Sequence, residues 1–282
     1  MMHDGPSKTT INMESGERKM SETIFKGEFL EALREGAVAT VQFRREQHKN
    51  ALSVAMLSEF ENVTRMLRVD ASVSTVVLTG GSKIFSAGAD KKDPAMFGDL
   101  TALDHRLGLL SRGGLATAWA ELPQVTIAAI EGYAVGGALT LALCCDFRVM
   151  AEDAFLYVPE IDMGMPYGWN SLPRLNALIG PALTKRLVMF AERVPASQAL
   201  EWRLADFMVP KGQAQQEATQ RATQLAAKPQ LALEIVKRST SAYQNAMAHM
   251  LGHADADQAV YCRLALESEA HQRTAAAATP VA

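Results

Sequence analysis

Two glycine-bearing turns and one glutamate are the residues of this chain best suited to chemistry. Ile84-Phe85-Ser86-Ala87-Gly88-Ala89-Asp90 follows a buried-looking apolar run, and Gly132-Tyr133-Ala134-Val135-Gly136-Gly137-Ala138 follows another. The second turn opens a helix near Gly137, where the first N–H groups lack internal partners and the helix dipole favours negative charge. Neither turn is a phosphate loop, for the chain has no G-x-x-x-x-G-K-[ST] and no G-x-G-x-x-G there. Taken alone, each is a tight connection. Glu160 sits between Val158-Pro159 and Ile161, an apolar setting that would raise its pKa toward the range of a general base. On its own it reads as a loop glutamate after a strand.

Other chemistries find less support. His249 and His253 are four apart, but no H-E-x-x-H surrounds them, so they read as a surface pair and no metal site is expected. Cys144 and Cys145 adjoin on a buried helix and read as small core residues. No G-x-S-x-G marks a serine nucleophile. The 31 acidic residues against 28 basic ones leave no cationic excess for a nucleic-acid backbone. Three cysteines in 282 residues form no disulfide framework and fit a reducing, cytoplasmic setting.

The elements that must position these residues alternate between strand and helix. Ala37–Phe43 alternates as a half-buried strand. After a polar loop, Leu52, Met56, Phe60, Val63 and Leu67 fall on one helical face behind an N-cap at Ser53. Ser74–Thr79 and Val125–Ile130 are continuous apolar runs, as in strands covered on both faces. Val125–Cys145 is long and apolar enough to suggest a membrane span. Its three glycines and central Glu131 point instead to strand, turn and buried helix, so no span is expected. Further strands are expected at Phe147–Met150 and Ala154–Val158. Helices are expected at Leu183–Phe190, Ser197–Leu204 (capped by Ser197), Ala214–Ala227, Leu231–Met250 and Asp255–Glu269. The polar start lacks an apolar signal core. The division expected is a tail over 1–22, a core over 23–205, a helical region over 206–272 and a tail over 273–282.

The order F-S-A-G-A-D (85–90), I-E-G-Y-A-V-G-G (130–137) and C-D-F-R (145–148) resembles the enoyl-CoA hydratase/isomerase (crotonase) superfamily. Asn50-Ala51-Leu52, Pro159-Glu160-Ile161 with Gly164, and Arg174-Leu175 with Ile179-Gly180 and Ala182 extend the likeness from about Val38 to Lys237. The resemblance implies a ClpP-like α/β spiral of ββα units with a C-terminal helical trimerisation region. It implies a homotrimer or dimer of trimers acting on an acyl-CoA, with no cofactor beyond the coenzyme A of the substrate. Such thioesters react through an enolate, whose oxygen needs donors already in place; by carry-over these are the Ala89 and Gly137 N–H groups.

Of the two glutamates of family hydratases, one matches Glu160, whereas the other falls on Thr140. One base suits a double-bond shift in an enoyl-CoA, and this is the activity expected. The alternatives are hydration of a 2-enoyl-CoA (hydratase or hydratase-lyase), with Thr140 and Glu160 positioning water, and a catalytically silent acyl-CoA binder or scaffold. The resemblance also points to Gly88, Gly136, Gly168, Tyr133 and Trp169 around the substrate. Asp90 is expected to hold the Ala89 turn, and Lys92 and Lys237 to meet the CoA phosphates. Met163, Met165 and Tyr167 are further candidates for the acyl pocket.

Overall fold

Alternation decides which side of the main sheet each residue packs on. In β4 (Val38–Phe43), Ala39, Val41 and Phe43 turn to one core while Val38 turns to another. In β5 (Thr75–Thr79) and β6 (Val125–Ile130), Val76, Leu78, Ala128 and Ile130 face the first core, and Val77, Ile127 and Ala129 face the second. Both faces are covered, which is why these strands read as unbroken apolar runs. The computed structural model describes residues 9–11 and 20–278, with side chains for 21–270.

Eight strands make the main sheet. β1 (Thr9–Ile11), β2 (Met20–Lys26) and β3 (Leu30–Glu35) lead antiparallel into β4. From there β5, β6, β8 (Phe147–Ala151) and β11 (Phe207–Val209) continue parallel. A second sheet pairs β7 (Tyr133–Val135), β9 (Phe155–Tyr157) and β10 (Val194–Pro195). Bridges from Leu52 to Ala89 and from Ser86 to Ala134 stitch the first glycine turn onto the edge of this small sheet.

The helices are α1 (Val54–Val69), α2 (Pro94–Phe97), α3 (Ala102–Ala120), α4 (Gly137–Leu143), α5 (Ser171–Met189), α6 (Ala196–Glu201), α7 (Ala214–Ala226) and α8 (Gln230–Ala278). Helix α1 is capped as expected, Ser53 Oγ accepting from the Met56 N–H at 3.2 Å. It buries Phe60 beside Phe43 and Trp119, and Phe43 in turn meets Phe85 edge-on. Helix α7 presents Ala214, Ala218 and Ala222 to the other face of the sheet, a stripe of small side chains that allows close approach.

The structure departs from the sequence reading at several ends. Strand β2 starts at Met20, and β1 pairs with it inside the segment expected to be a tail; residues 1–8 and 12–19 lie outside the described residues. The boundary expected at 205/206 falls within the sheet, because β11 pairs with β8 and α7 packs on β5 and β6. Helix α6 begins after Pro195 with no side-chain cap, so Ser197 does not cap it.

Helix α5 starts twelve residues earlier than expected and is broken at Gly180 (φ 72°), just before Pro181. The two helices expected over 231–269 are one, running to Ala278 and through part of the expected C-terminal tail, whose residues 279–282 lie outside the described residues. The apolar stretch 125–145 resolves into β6, β7 and α4. Among the described residues, no helix is long and apolar enough to cross a membrane.

Glu131, at the end of β6, is buried and accepts the Ala214 N–H at 2.9 Å and the Gly212 N–H at 3.0 Å. Its charge thus caps α7, where the dipole welcomes it. Glu131→Ala leaves the buried Ala214 N–H and the part-buried Gly212 N–H unmet and should destabilise the fold by about 1–3 kcal/mol, read as a lower urea midpoint. An unchanged midpoint would show that the cap contributes nothing.

Candidate functional site

The first turn is held by a buried asparagine. Asn50 Nδ2 donates to the carbonyls of Gly80 (2.8 Å), Phe85 (3.1 Å) and Ile84 (3.2 Å), while Oδ1 accepts the Arg45 N–H at 3.0 Å. Gly88 lies in the left-handed region (φ 83°), where a Cβ would stand 2.4 Å from the Val135 carbonyl oxygen and 3.6 Å from the Gly137 nitrogen. That close approach brings the two turns together. The N–H of Gly88 goes to Ser86 Oγ and that of Asp90 to the Leu52 carbonyl. Between them, the Ala89 N–H has no acceptor among the described residues, and neither does that of Gly137.

Glu160 opens a short 3-10 turn (Glu160–Met163) and comes directly against the second turn. A Cβ on Gly136 would stand 2.4 Å from Glu160 Oε1, so only glycine fits there. Oε2 is buried without a hydrogen-bond partner among the described residues. Burial raises the pKa from 4.5 to about 7, with Lys91 pulling weakly the other way. Ala89, Gly137, Thr140 and Glu160 line one cavity, together with Met163, Met165, Tyr167, Gly168 and Trp169. Among the described residues, Glu160 is the one carboxylate in its wall.

Thr140 lies in the same wall, but its hydroxyl is engaged. It meets Tyr167 Oη at 3.1 Å and Ser171 Oγ at 2.7 Å. Tyr167 in turn donates to the Gly136 carbonyl at 3.1 Å and Ser171 to that of Gly168 at 2.5 Å. The last two hydroxyl protons being spent on carbonyls, Thr140's own proton stays within the network. Trp169 and Asn170 both take left-handed backbone (φ 61° and 60°), rare for tryptophan. Asp255 of α8 accepts the Asn170 N–H at 2.9 Å, and Asn170 Nδ2 donates to Thr117 Oγ1 at 3.1 Å and the Gly113 carbonyl at 3.3 Å. This fixes the Trp169 indole, which packs so close to Gly137 that a Cβ there would stand 2.7 Å from it.

Several expected residues lie elsewhere. Lys237 is buried, paired with Asp146 at 2.8 Å and donating to the Gln124 carbonyl at 2.7 Å. These partners precede β8 and β6, at the ends of the strands opposite the turns, so the structure does not bring Lys237 together with Glu160 and the two turns. Tyr133 stacks on Phe155 (centroids 5.3 Å apart) and does not line the cavity. Lys92 is exposed, its N–H turned to Asp90 Oδ1; Lys91 is the cation whose field reaches Glu160. Asp90 also binds Arg45 at 2.6 Å, and although burial pushes its pKa up, these contacts hold it below the usual range. It therefore ties the first turn to Arg45 and to the Lys92 N–H.

His105 and Arg112, which the sequence reading passed over, line the cavity from α3. Their signal was there: with Leu109 they stand at i, i+4 and i+7 on one helix face. Cys144 and Cys145 are buried, which pushes both thiols up, the latter to about 12. Among the described residues no group of three His, Cys, Asp or Glu side chains is placed to hold a metal.

The buried Glu160 leaves a stability signature. Its native pKa of about 7 exceeds its unfolded value, so unfolding releases a proton between about pH 4.5 and 7, and stability falls as the pH rises through that window. Glu160→Gln removes this penalty. The variant's urea midpoint should gain on that of the native chain between about pH 5 and pH 8, whereas parallel curves would mean a solvated carboxylate.

Comparison with known proteins shows the family and the fold. The enoyl-CoA hydratase/isomerase family pattern matches residues 34–271. A crotonyl-CoA hydratase of Syntrophomonas wolfei is 31% identical over 210 residues, covering 74% of this chain and 79% of its own. A probable mitochondrial enoyl-CoA hydratase of Dictyostelium discoideum is 31% identical over 212 residues, 74% of each chain. The crystal structure of an enoyl-CoA hydratase from Bacillus anthracis superposes with a TM-score of 0.72 at 29% identity, over 81% of this chain and 90% of that one. The chain therefore belongs to the enoyl-CoA hydratase/isomerase family and has the crotonase fold.

Proposed function

We propose that this enzyme shifts the double bond of an enoyl-CoA, with Glu160 as the single shuttling base. The observation that carries the reading is that, among the described residues, Glu160 is the one carboxylate lining the cavity into which the Ala89 and Gly137 turns open. Glu160 takes the proton from C2 of a 3-enoyl thioester. The electron pair moves into a dienolate whose oxygen accepts from the two N–H groups. The proton then returns to C4, leaving the double bond between C2 and C3. A base with a pKa near 7 can both take and return that proton at neutral pH.

Hydration of a 2-enoyl-CoA is the second reading, favoured by the hydratase names of the relatives. Against it, Thr140 is no carboxylate and its proton is shared with Tyr167 and Ser171, so among the described residues the cavity wall has no second acid to work on a water with Glu160. The substrate as a CoA thioester and the cytoplasmic setting, which three free cysteines fit, belong to the same proposal. So does assembly as a homotrimer or dimer of trimers, supported by the exposed Leu231, Ile235, Tyr243, Met250 and Tyr261 along α8.

Absorbance of the conjugated thioester separates the readings. It should rise from 3-enoyl-CoA; a fall from 2-enoyl-CoA would mark a hydratase, and CoA binding with neither change a silent binder. Glu160→Gln should lower turnover by about 100- to 10,000-fold with CoA still bound, and kcat/KM should rise with pH through about 7 as the carboxylate ionises. Thr140→Ala, acting only through Tyr167 and Ser171, should cost about ten-fold. Equal losses in the two variants would rule out a lone base.

A further inference from the structure

The cavity holds a cation and a histidine that the proton shift does not use. His105 and Arg112 are 4% and 8% exposed. Neither ring nitrogen of His105 has a hydrogen-bond partner among the described residues. Arg112 makes no ion pair there; its one recorded contact sets Cζ over the Trp169 ring at 6.0 Å from the centroid. The acid whose field reaches it, Asp93, already accepts the Val54 N–H at 2.7 Å and the Ala95 N–H at 2.9 Å. A Cβ on Gly108 would stand 3.1 Å from Arg112 Nη1, so the guanidinium folds back along α3 toward His105, with no side chain between to cover it. Burial holds the Arg112 pKa down at about 10 and that of His105 below its usual value, so at neutral pH the pair offers a full cation beside a neutral ring with one N–H.

A buried cation with no counter-ion is costly, and a plain hydrocarbon chain would leave it so. We infer that the acyl group of the substrate carries a carboxylate remote from the thioester, gripped by the fork of Arg112 with a further hydrogen bond from His105. A carboxylate suits the site better than a hydroxyl, because it neutralises the charge and matches the planar fork with two parallel N–H···O bonds. The Trp169 face below holds the guanidinium in place. This inference rests on the acyl-CoA reading of the cavity and deepens it, by making the substrate a mono-CoA thioester of a dicarboxylic acid.

Binding of saturated, unreactive probes tests the inference apart from the chemistry. By calorimetry, adipoyl-CoA should bind about 10- to 100-fold more tightly than hexanoyl-CoA. Arg112→Gln, shown folded by circular dichroism, should bring that ratio near one, and Arg112→Lys, which keeps the charge without the fork, should leave an intermediate ratio. Equal binding of the two probes by the native enzyme would overturn the inference, as would an unaltered ratio in the folded glutamine variant. So would an Arg112→Gln loss equally large for free CoA, which would assign the guanidinium to a CoA phosphate. If the ratio holds while neither 2- nor 3-enoyl-CoA is turned over, the enolate chemistry fails and the carboxylate site stands.

Discussion

The site depends on a carboxylate pressed against a main chain that has no side chain to keep it away. Glu160 Oε1 reaches Gly136 so closely that any Cβ would collide with it, and Oε2 is shut away from both solvent and protein donors. An acid in such a place is a stronger base than one in water, because burial costs its charge more than its own N–H and the field of Lys91 give back. The same glycines leave the Gly137 and Ala89 N–H groups free to serve an oxygen that becomes negative as the proton leaves. Base and oxyanion donors are therefore two consequences of one constraint, a backbone stripped of side chains at Gly88, Gly136 and Gly137.

Holding that arrangement falls to parts of the chain far away in sequence. The first turn hangs on Asn50, which spends both Nδ2 protons on carbonyls of the 80–85 segment. The wall facing Gly137 hangs on α8. Asp255 takes the Asn170 N–H, and a Cβ on Gly252 would come within 3.0 Å of Asn170 Oδ1. Both residues hold Trp169 in a left-handed backbone that it would not choose alone. Helix α8 thus does more than extend an α-helical end, since it fixes one face of the cavity.

This explains which features were legible in the sequence. Strands covered on both faces, such as Thr75–Thr79 and Val125–Ile130, need unbroken apolar runs, and a cap such as Ser53 is a local event; both can be read directly. The turns and Glu160 could be ranked only together, by their order along the chain, because each alone is an ordinary connection or loop acid. The two helices read over 231–269 are one, and what places Gly252 and Asp255 inside it is a contact with Asn170 more than eighty residues away. Lys237 misled for the opposite reason. A lysine on a late helix looks free until the fold closes a buried pair with Asp146.

Hydration needs a water held between two groups, one that takes its proton and one that keeps it aimed at carbon. Beside Glu160 the place of a second carboxylate is taken by Thr140, whose hydrogen stays with Tyr167 and Ser171, so among the described residues no second acid of the wall can share the proton transfer. Apart from Glu160 and the main-chain N–H groups, the wall also carries, among the described residues, unpaired polar side chains on α3, at His105 and Arg112, alongside Leu109. A guanidinium there does not activate water, since it has no lone pair to accept a proton. It can select and anchor a chain. The cavity thus separates two tasks, recognition at the α3 wall and proton transfer at Glu160, and a lone base suffices when the remote grip on the substrate keeps C2 and C4 within reach of one carboxylate.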